Sequence, residues 1–296
     1  MRASRSARSR RWGGEPMTYL SRIRINPLRT AGRRLLGSPR RLHGAVMGGL
    51  ADDPEQQRPL WRLDSDNPHR PKLLVLSESK PDWTHIVEQA GWPHADGEHY
   101  ELREYEPLLG RLAVGQEFTF RVTANPVQNT NEPEHPTERQ RQRAREGQRR
   151  RSQRVGHRTA GAQLGWFLAR TEKWGFVVPG APPTTGTSEH PTVAEPVSTR
   201  EGVSFEADGA ACSGEAGEIE PARNVRIAAR DRHSFPKRRG SRPVVLHTAT
   251  FEGRLRVTSV ELLRRALLRG IGPAKAYGCG LLTLGTLPDG ESGAGD

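Results

Sequence analysis

From Met17 onward the chain alternates between stretches of period two and stretches of helical period. Thr18 to Asn26 sets Leu20, Ile23 and Ile25 among Tyr19, Arg22, Arg24 and Asn26, which predicts a half-buried strand with a polar, partly basic outer face. Ser38-Pro39 then opens a helix, with serine as N-cap and proline in the first turn. Leu42, Val46 and Leu50, joined by Ala45 and Gly49, are its core stripe. LWRLD at 60–64 and KLLVLS at 72–77 are short strand candidates on either side of the turn-rich SDNPHRP. WTHIVEQAGW reads as a short helix ended by Gly91. The segment REYEPLLGRLAVGQEFTFRVTANPV supplies one or two strands. The clearest is Gln116 to Ala124, with Phe118, Phe120, Val122 and Ala124 on one face.

The order strand, helix, strand, strand, helix, strand is the βαββαβ arrangement of a ferredoxin-like (RRM-like) unit. It is an α+β layer with helices on one face of an antiparallel sheet. After 157 the same vocabulary returns. Leu164, Phe167 and Leu168 have helical spacing, and Asn224 to Ala229 is strand-like. In Ala249 to Val257, Phe251, Leu255 and Val257 alternate with Thr250, Glu252, Arg254 and Arg256. Thr258 and Glu261 have capping-box spacing ahead of a helix over 259–269, whose stripe is Leu262, Leu263, Ala266 and Leu267. Gly270 stops that helix, and an apolar run at 281–287 reads as a last strand.

The expected organisation is a first unit over 17–127 and a second over 157–287, without a clear sequence repeat between them. Residues 1–16 are basic and serine-rich, without an apolar segment of signal-peptide length, and read as a disordered tail or a misassigned start. Residues 128–156 are an arginine-rich linker, 179–222 a disordered Pro/Thr/Ser/Gly/Glu-rich insertion, and 288–296 a tail.

Composition agrees. Only 33% of the 296 residues are hydrophobic, and Gly 32 and Pro 23 shrink the expected core further. The formal net charge of +12 points to a polyanionic partner. Nucleic acid is favoured over a membrane surface, since no basic helix with a broad apolar face stands out and no apolar run nears spanning length. Two cysteines, Cys212 and Cys279, make neither a disulfide framework nor a zinc cluster, and read as reduced thiols of a cytoplasmic protein. Ten histidines without metal-ligand spacing leave no metal or other cofactor to expect.

Three places carry candidate chemistry. His43 lies on the flank of the 39–50 helix stripe, with Arg40 one turn earlier and Arg33 and Arg34 in the preceding connection. A histidine among arginines has the pKa range for proton transfer beside a phosphodiester, although a surface histidine is the ordinary reading of such a position. The loop GIGPAKAYGCG holds Gly270, Gly272, Gly278 and Gly280 around Lys275. Glycine lets backbone N–H groups approach phosphate, and lysine adds charge. The loop lacks the lysine-serine/threonine ending of NTPase phosphate loops and follows a helix where the dinucleotide fingerprint follows a strand, so a structural turn stands beside the phosphate reading. The third place is FPKRRG, a turn between strands where Lys237, Arg238 and Arg239 concentrate positive charge suited to RNA phosphates.

The wording of these segments resembles one family. GIGPAKAYGCGLLTLG after HTATFEGRLRV, YLSRIRINPLRTAGRRLLGSPRRLHGAV near the start, and HRT…LGWFLAR…GF are similar to the CasE family, the type I-E CRISPR repeat endoribonucleases. The resemblance covers 17–127, 157–178 and 224–287. It implies tandem ferredoxin-like domains and metal-independent cleavage of CRISPR precursor transcripts at the 3′ base of the repeat stem. The upstream 2′-OH attacks, leaving a 2′,3′-cyclic phosphate, and the protein stays on the crRNA with other Cascade subunits. It further implies that His43 is the catalytic histidine and that Lys237, Arg238, Arg239 and the glycine loop contact RNA. Arg40 stands where some members carry a tyrosine. Arginine can stabilise phosphorane charge but cannot move a proton at neutral pH. A noncatalytic RNA-binding subunit of the same fold is the alternative, and a nucleotide-binding enzyme built on the glycine loop is a third, weaker one.

Overall fold

The computed structural model describes residues 17–50, 57–95, 97–130, 142, 153–180, 224–236 and 243–287. The tails at 1–16 and 288–296, most of the arginine-rich linker and of the 179–222 insertion, and Lys237, Arg238 and Arg239 lie outside the described residues.

The first sheet has four strands: β1 (Tyr19–Arg24), β2 (Leu60–Asp64), β3 (Lys72–Ser77) and β4 (Tyr100–Glu104). Their order is β2-β3-β1-β4 and every pairing is antiparallel. Helices α1 (Thr30–Leu36), α2 (Pro39–Gly48) and α3 (Thr84–Ala90) cover one face. Ile23, Ile25, Leu42, Val46, Trp61, Leu73, Val75, Trp83 and Ile86 close the core between them. The expected cap of α2 is present: Ser38 Oγ accepts from Arg41 N, with Pro39 in the first turn.

The alternating segment expected to end the first unit belongs elsewhere. It forms β5 (Glu117–Ala124), an inner strand of the second sheet. Its apolar face explains why. Phe120 packs against the aromatic cluster of the second half, where Phe167 stacks on Phe251 at 4.4 Å, and the first unit offers no such partner. The edge position beside β1 is taken by β4, the polar YELRE, with Arg22 paired to Glu101 across the register.

A short turn of helix, α4 (Glu106–Leu109), links the sheets. Beyond β5, β6 (Val127–Thr130) pairs with β7 (Gln153–Gly156), so the two ends of the expected linker meet as an antiparallel ladder. Then come α5 (Ala160–Leu168), the two-residue β8 (Phe176–Val177), the long pair β9 (Val225–Pro236) and β10 (Pro243–Val257), α6 (Val260–Arg269) and β11 (Leu282–Gly285). The second sheet runs β11-β5-β10-β8, with β9 also paired to β10. Ser259 rather than Thr258 caps α6, because Gly175 O holds the backbone N–H of both residues and leaves Ser259 Oγ to accept from Leu262 N.

The halves share one hydrophobic cluster, in which Leu60, Leu76, Tyr105 and Leu109 pack with Phe118, Leu263, Leu267 and Leu281. They are also joined by Arg62, 2% exposed. Its guanidinium reaches Asp64 at 2.7 and 3.0 Å and donates to the carbonyls of Arg121 at 2.7 Å and Leu281 at 3.1 Å, both in the second half. No helix among the described residues is long and apolar enough to cross a membrane.

Candidate functional site

Between the two halves lies a cavity of about 1070 Å³ lined by His43 and Met47 from α2 and by Lys275 from the turn after α6. The sequence separates His43 from Lys275 by most of the chain. The fold brings them together because α2 packs on the short 3₁₀ turn Lys275–Tyr277. Leu60, Leu76 and Leu109 supply an aliphatic floor, and Leu268 of α6 adds to it. Arg58, Arg264 and Arg269 line the same space.

His43 is half-buried, and burial lowers its pKa below the usual histidine value. Its Nδ1 is buried without a hydrogen-bond partner among the described residues. The imidazole is therefore neutral at pH 7, the form that accepts a proton. Lys275 is also half-buried. Burial lowers its pKa first, and repulsion from Arg58 and Arg269 lowers it further. Two carboxylates line the cavity: Glu106, whose Oε1 accepts from Thr18 N at 2.8 Å, and the exposed Glu78. Among the described residues, no carboxylate forms an ion pair with Arg58, Arg264, Arg269 or Lys275.

The glycines of the loop are turned toward protein. Gly270 has φ 70°, and a Cβ there would lie 2.7 Å from Leu60 Cδ2. Gly278 has φ 83°, and its Cβ would lie 2.7 Å from Trp61 Cζ3. A side chain at either place would push the loop off β2 and carry Lys275 with it. Gly272 faces Trp166, and Gly280 faces the backbone of Ile271. Neighbouring Cys279 is fully buried, and burial pushes its thiol up to about 12.

Of the other candidates, Arg40 is exposed on α2 and is not among the residues lining the cavity. Arg33 folds back on its own helix start, donating to Leu28 O at 2.6 Å and Thr30 Oγ1 at 3.3 Å. Arg34 lines a separate, smaller hollow between α1, α2 and α3. The strands β9 and β10 are paired as far as Pro236 and Pro243, and Lys237, Arg238 and Arg239 lie outside the described residues.

Sequence reading passed over Arg58, Glu106 and, as site residues, Arg264 and Arg269. The last two lie off the apolar stripe of the 259–269 helix. No local pattern marked what they would face.

A family profile described as "CRISPR associated protein" matches residues 18–285. The CRISPR-associated endoribonuclease Cse3 of Thermus thermophilus is 26% identical over 270 residues, 90% of this chain and 99% of its own. This chain belongs to the CRISPR-associated Cse3/Cas6e endoribonuclease family. It is the family that GIGPAKAYGCG and HTATFEGRL resemble. Among solved Cse3 structures, the Thermus thermophilus protein bound to an RNA representing a pre-cleavage complex matches with a TM-score of 0.58 at 24% identity, over 92% of this chain and 100% of that one. Cse3 bound to a 19-nucleotide RNA matches with a TM-score of 0.57 at 25% identity, over 93% and 100%. The mixed α+β architecture with two antiparallel sheets is thus that of Cse3.

Proposed function

We propose that this protein is a metal-independent endoribonuclease that binds CRISPR repeat hairpins and cuts the precursor at the 3′ base of the stem. It then stays on the crRNA as part of Cascade. The carrying observation is the cavity that sets a neutral-leaning His43 beside Lys275, Arg58, Arg264 and Arg269. His43 takes the proton of the upstream ribose 2′-OH, whose oxygen attacks phosphorus. The bond to the 5′ oxygen breaks, and that oxygen takes a proton from water, leaving a 2′,3′-cyclic phosphate and a 5′-OH. Lys275 and the arginines stabilise the charge that grows on the phosphoryl oxygens. The nucleophile comes from the RNA itself.

Each half is read as a ferredoxin-like unit. In both sheets the strand order is fourth-first-third-second of its own unit, with β8 as the short second strand and β9 paired to β10 along the same edge. The boundary between the units then falls between Glu104 and Glu117.

A second reading is a noncatalytic RNA-binding subunit. It draws on Arg40, which holds the place of a family tyrosine and is exposed, away from the cavity lining. Cleavage of the host's CRISPR repeat RNA in EDTA, wild type against His43→Ala, separates the two. Cutting at the stem base that falls by about 10²–10⁴ in the variant, with binding retained, is the expected result. Tight binding without cutting by the wild type moves the assignment to an RNA-holding subunit.

A further inference from the structure

The cavity joins two surfaces of different chemistry. Its floor is apolar: Leu60, Leu76 and Leu109 are buried, and Leu268 is half-buried. Its rim gathers Arg58, Arg269 and Lys275, close enough that the two guanidinium groups repel the ammonium. Glu106 is held by Thr18 N, and Glu78 is exposed. Like charges gathered beside an apolar surface, none of them paired with a carboxylate among the described residues, are relieved by an anion. A phosphate alone would leave the aliphatic floor uncovered, and a volume of about 1070 Å³ is that of a site enclosing a small organic molecule. A nucleotide satisfies both surfaces, with an apolar base face and an anionic phosphate on one ligand.

We propose that this cavity is a nucleotide subsite. The first unpaired nucleotide 3′ of the scissile phosphate turns out of the strand and lays its base on the floor of Leu60, Leu76, Leu109 and Leu268, while the scissile phosphate at its 5′ oxygen lies on Arg58, Arg269 and Lys275. This rests on the reading of His43 as cutting at the base of a stem. On the 5′ side of such a cut the bases are paired and stacked, and only the 3′ strand is free to splay a base. Holding that nucleotide fixes the 5′ oxygen that must leave, and makes cleavage sensitive to a base outside the hairpin.

Two measurements on the full chain test the subsite. In the first, repeat RNA blocked by a 2′-deoxy sugar at the cut carries 4-thiouridine at the first or the fourth position beyond it, and crosslinks are mapped. The first position should react with segments 57–60, 106–109 or 264–269, or with Lys275, and the fourth should not. A first-position crosslink elsewhere overturns the proposal. In the second, an abasic first position should slow single-turnover cleavage about tenfold, and an abasic fourth position should leave it unchanged. Equal cleavage of both overturns the proposal. If wild type binds the repeat but does not cut it, the nuclease reading fails, and the crosslink still decides the subsite. Absence of binding to repeat RNA overturns both.

Discussion

The two halves enclose two clefts, and each is lined by arginine. In the cavity beside His43, Arg58, Arg264, Arg269 and Lys275 have no carboxylate partner among the described residues. In the other, a cleft of about 760 Å³ on the far face of the second sheet, charge is neutralised in place. There Arg121 meets Asp66 at 2.5 Å, Glu252 at 2.6 Å and Asp64 at 3.4 Å, and Arg226 meets Glu252 at 3.0 Å. Arg62 holds Asp64 from below. RNA-recognition sheets read bases with aromatic side chains on their open face, whereas the inner strands here present Thr119, Arg121, Thr123 and Glu252. A count of arginines would favour the second cleft, four to three. Their pairing makes one a structural joint and leaves the cations of the other without carboxylate partners among the described residues.

Substitutions can break that contrast. The largest effect is expected at Arg62, in the joint. Arg62→Met strands two buried carbonyls and Asp64, and should destabilise the fold by about 3–5 kcal/mol in denaturant unfolding. Removing two charges from the cavity, Arg269→Gln with Lys275→Gln, should weaken repeat-RNA binding and flatten log K against log salt by about one to two in slope. The fold should stay intact, because neither cation has a carboxylate partner among the described residues.

A pH profile sharpens the same point. Burial lowers the pKa of His43, so its neutral form persists below the ordinary value of about 6.5. The kcat/KM for cleavage should hold level as pH falls through 6.5 and decline only below it. A limb at or above 6.5 would mean that His43 is not the buried base described here. The smallest effect belongs to Arg226. Its side chain is 78% exposed, and Arg226→Gln should move stability by less than about 0.5 kcal/mol and leave the RNA salt slope unchanged.

Much of the fold was legible because it rests on local pattern. Ser38-Pro39 announced α2, and the stripe Leu263, Ala266, Leu267 is the buried face of α6. The alternation of 116–124 was plain, yet its sheet was not. Phe118 and Phe120 declare a buried face without naming the layer they bury against, and the aromatic partners Phe167, Phe176 and Phe251 lie far along the chain. YELRE was hard to see for the opposite reason. It holds the edge through Arg22–Glu101 and backbone pairing rather than an apolar face. For the site, His43 and Lys275 were legible one at a time, each by its setting. Their meeting was not, because no spacing along a chain encodes packing of α2 on a turn more than two hundred residues away. Arg58 carried no signal at all.

By itself the sequence determined most of the strands and helices, the excess of positive charge and the wording of the family's segments. These depend on neighbours a few residues apart or on totals, and such quantities survive without a fold. Only the tertiary structure decided which cations are free and which are neutralised. A guanidinium's charge is present in any sequence that contains it, but its availability depends on whether a carboxylate from another strand comes within about 4 Å.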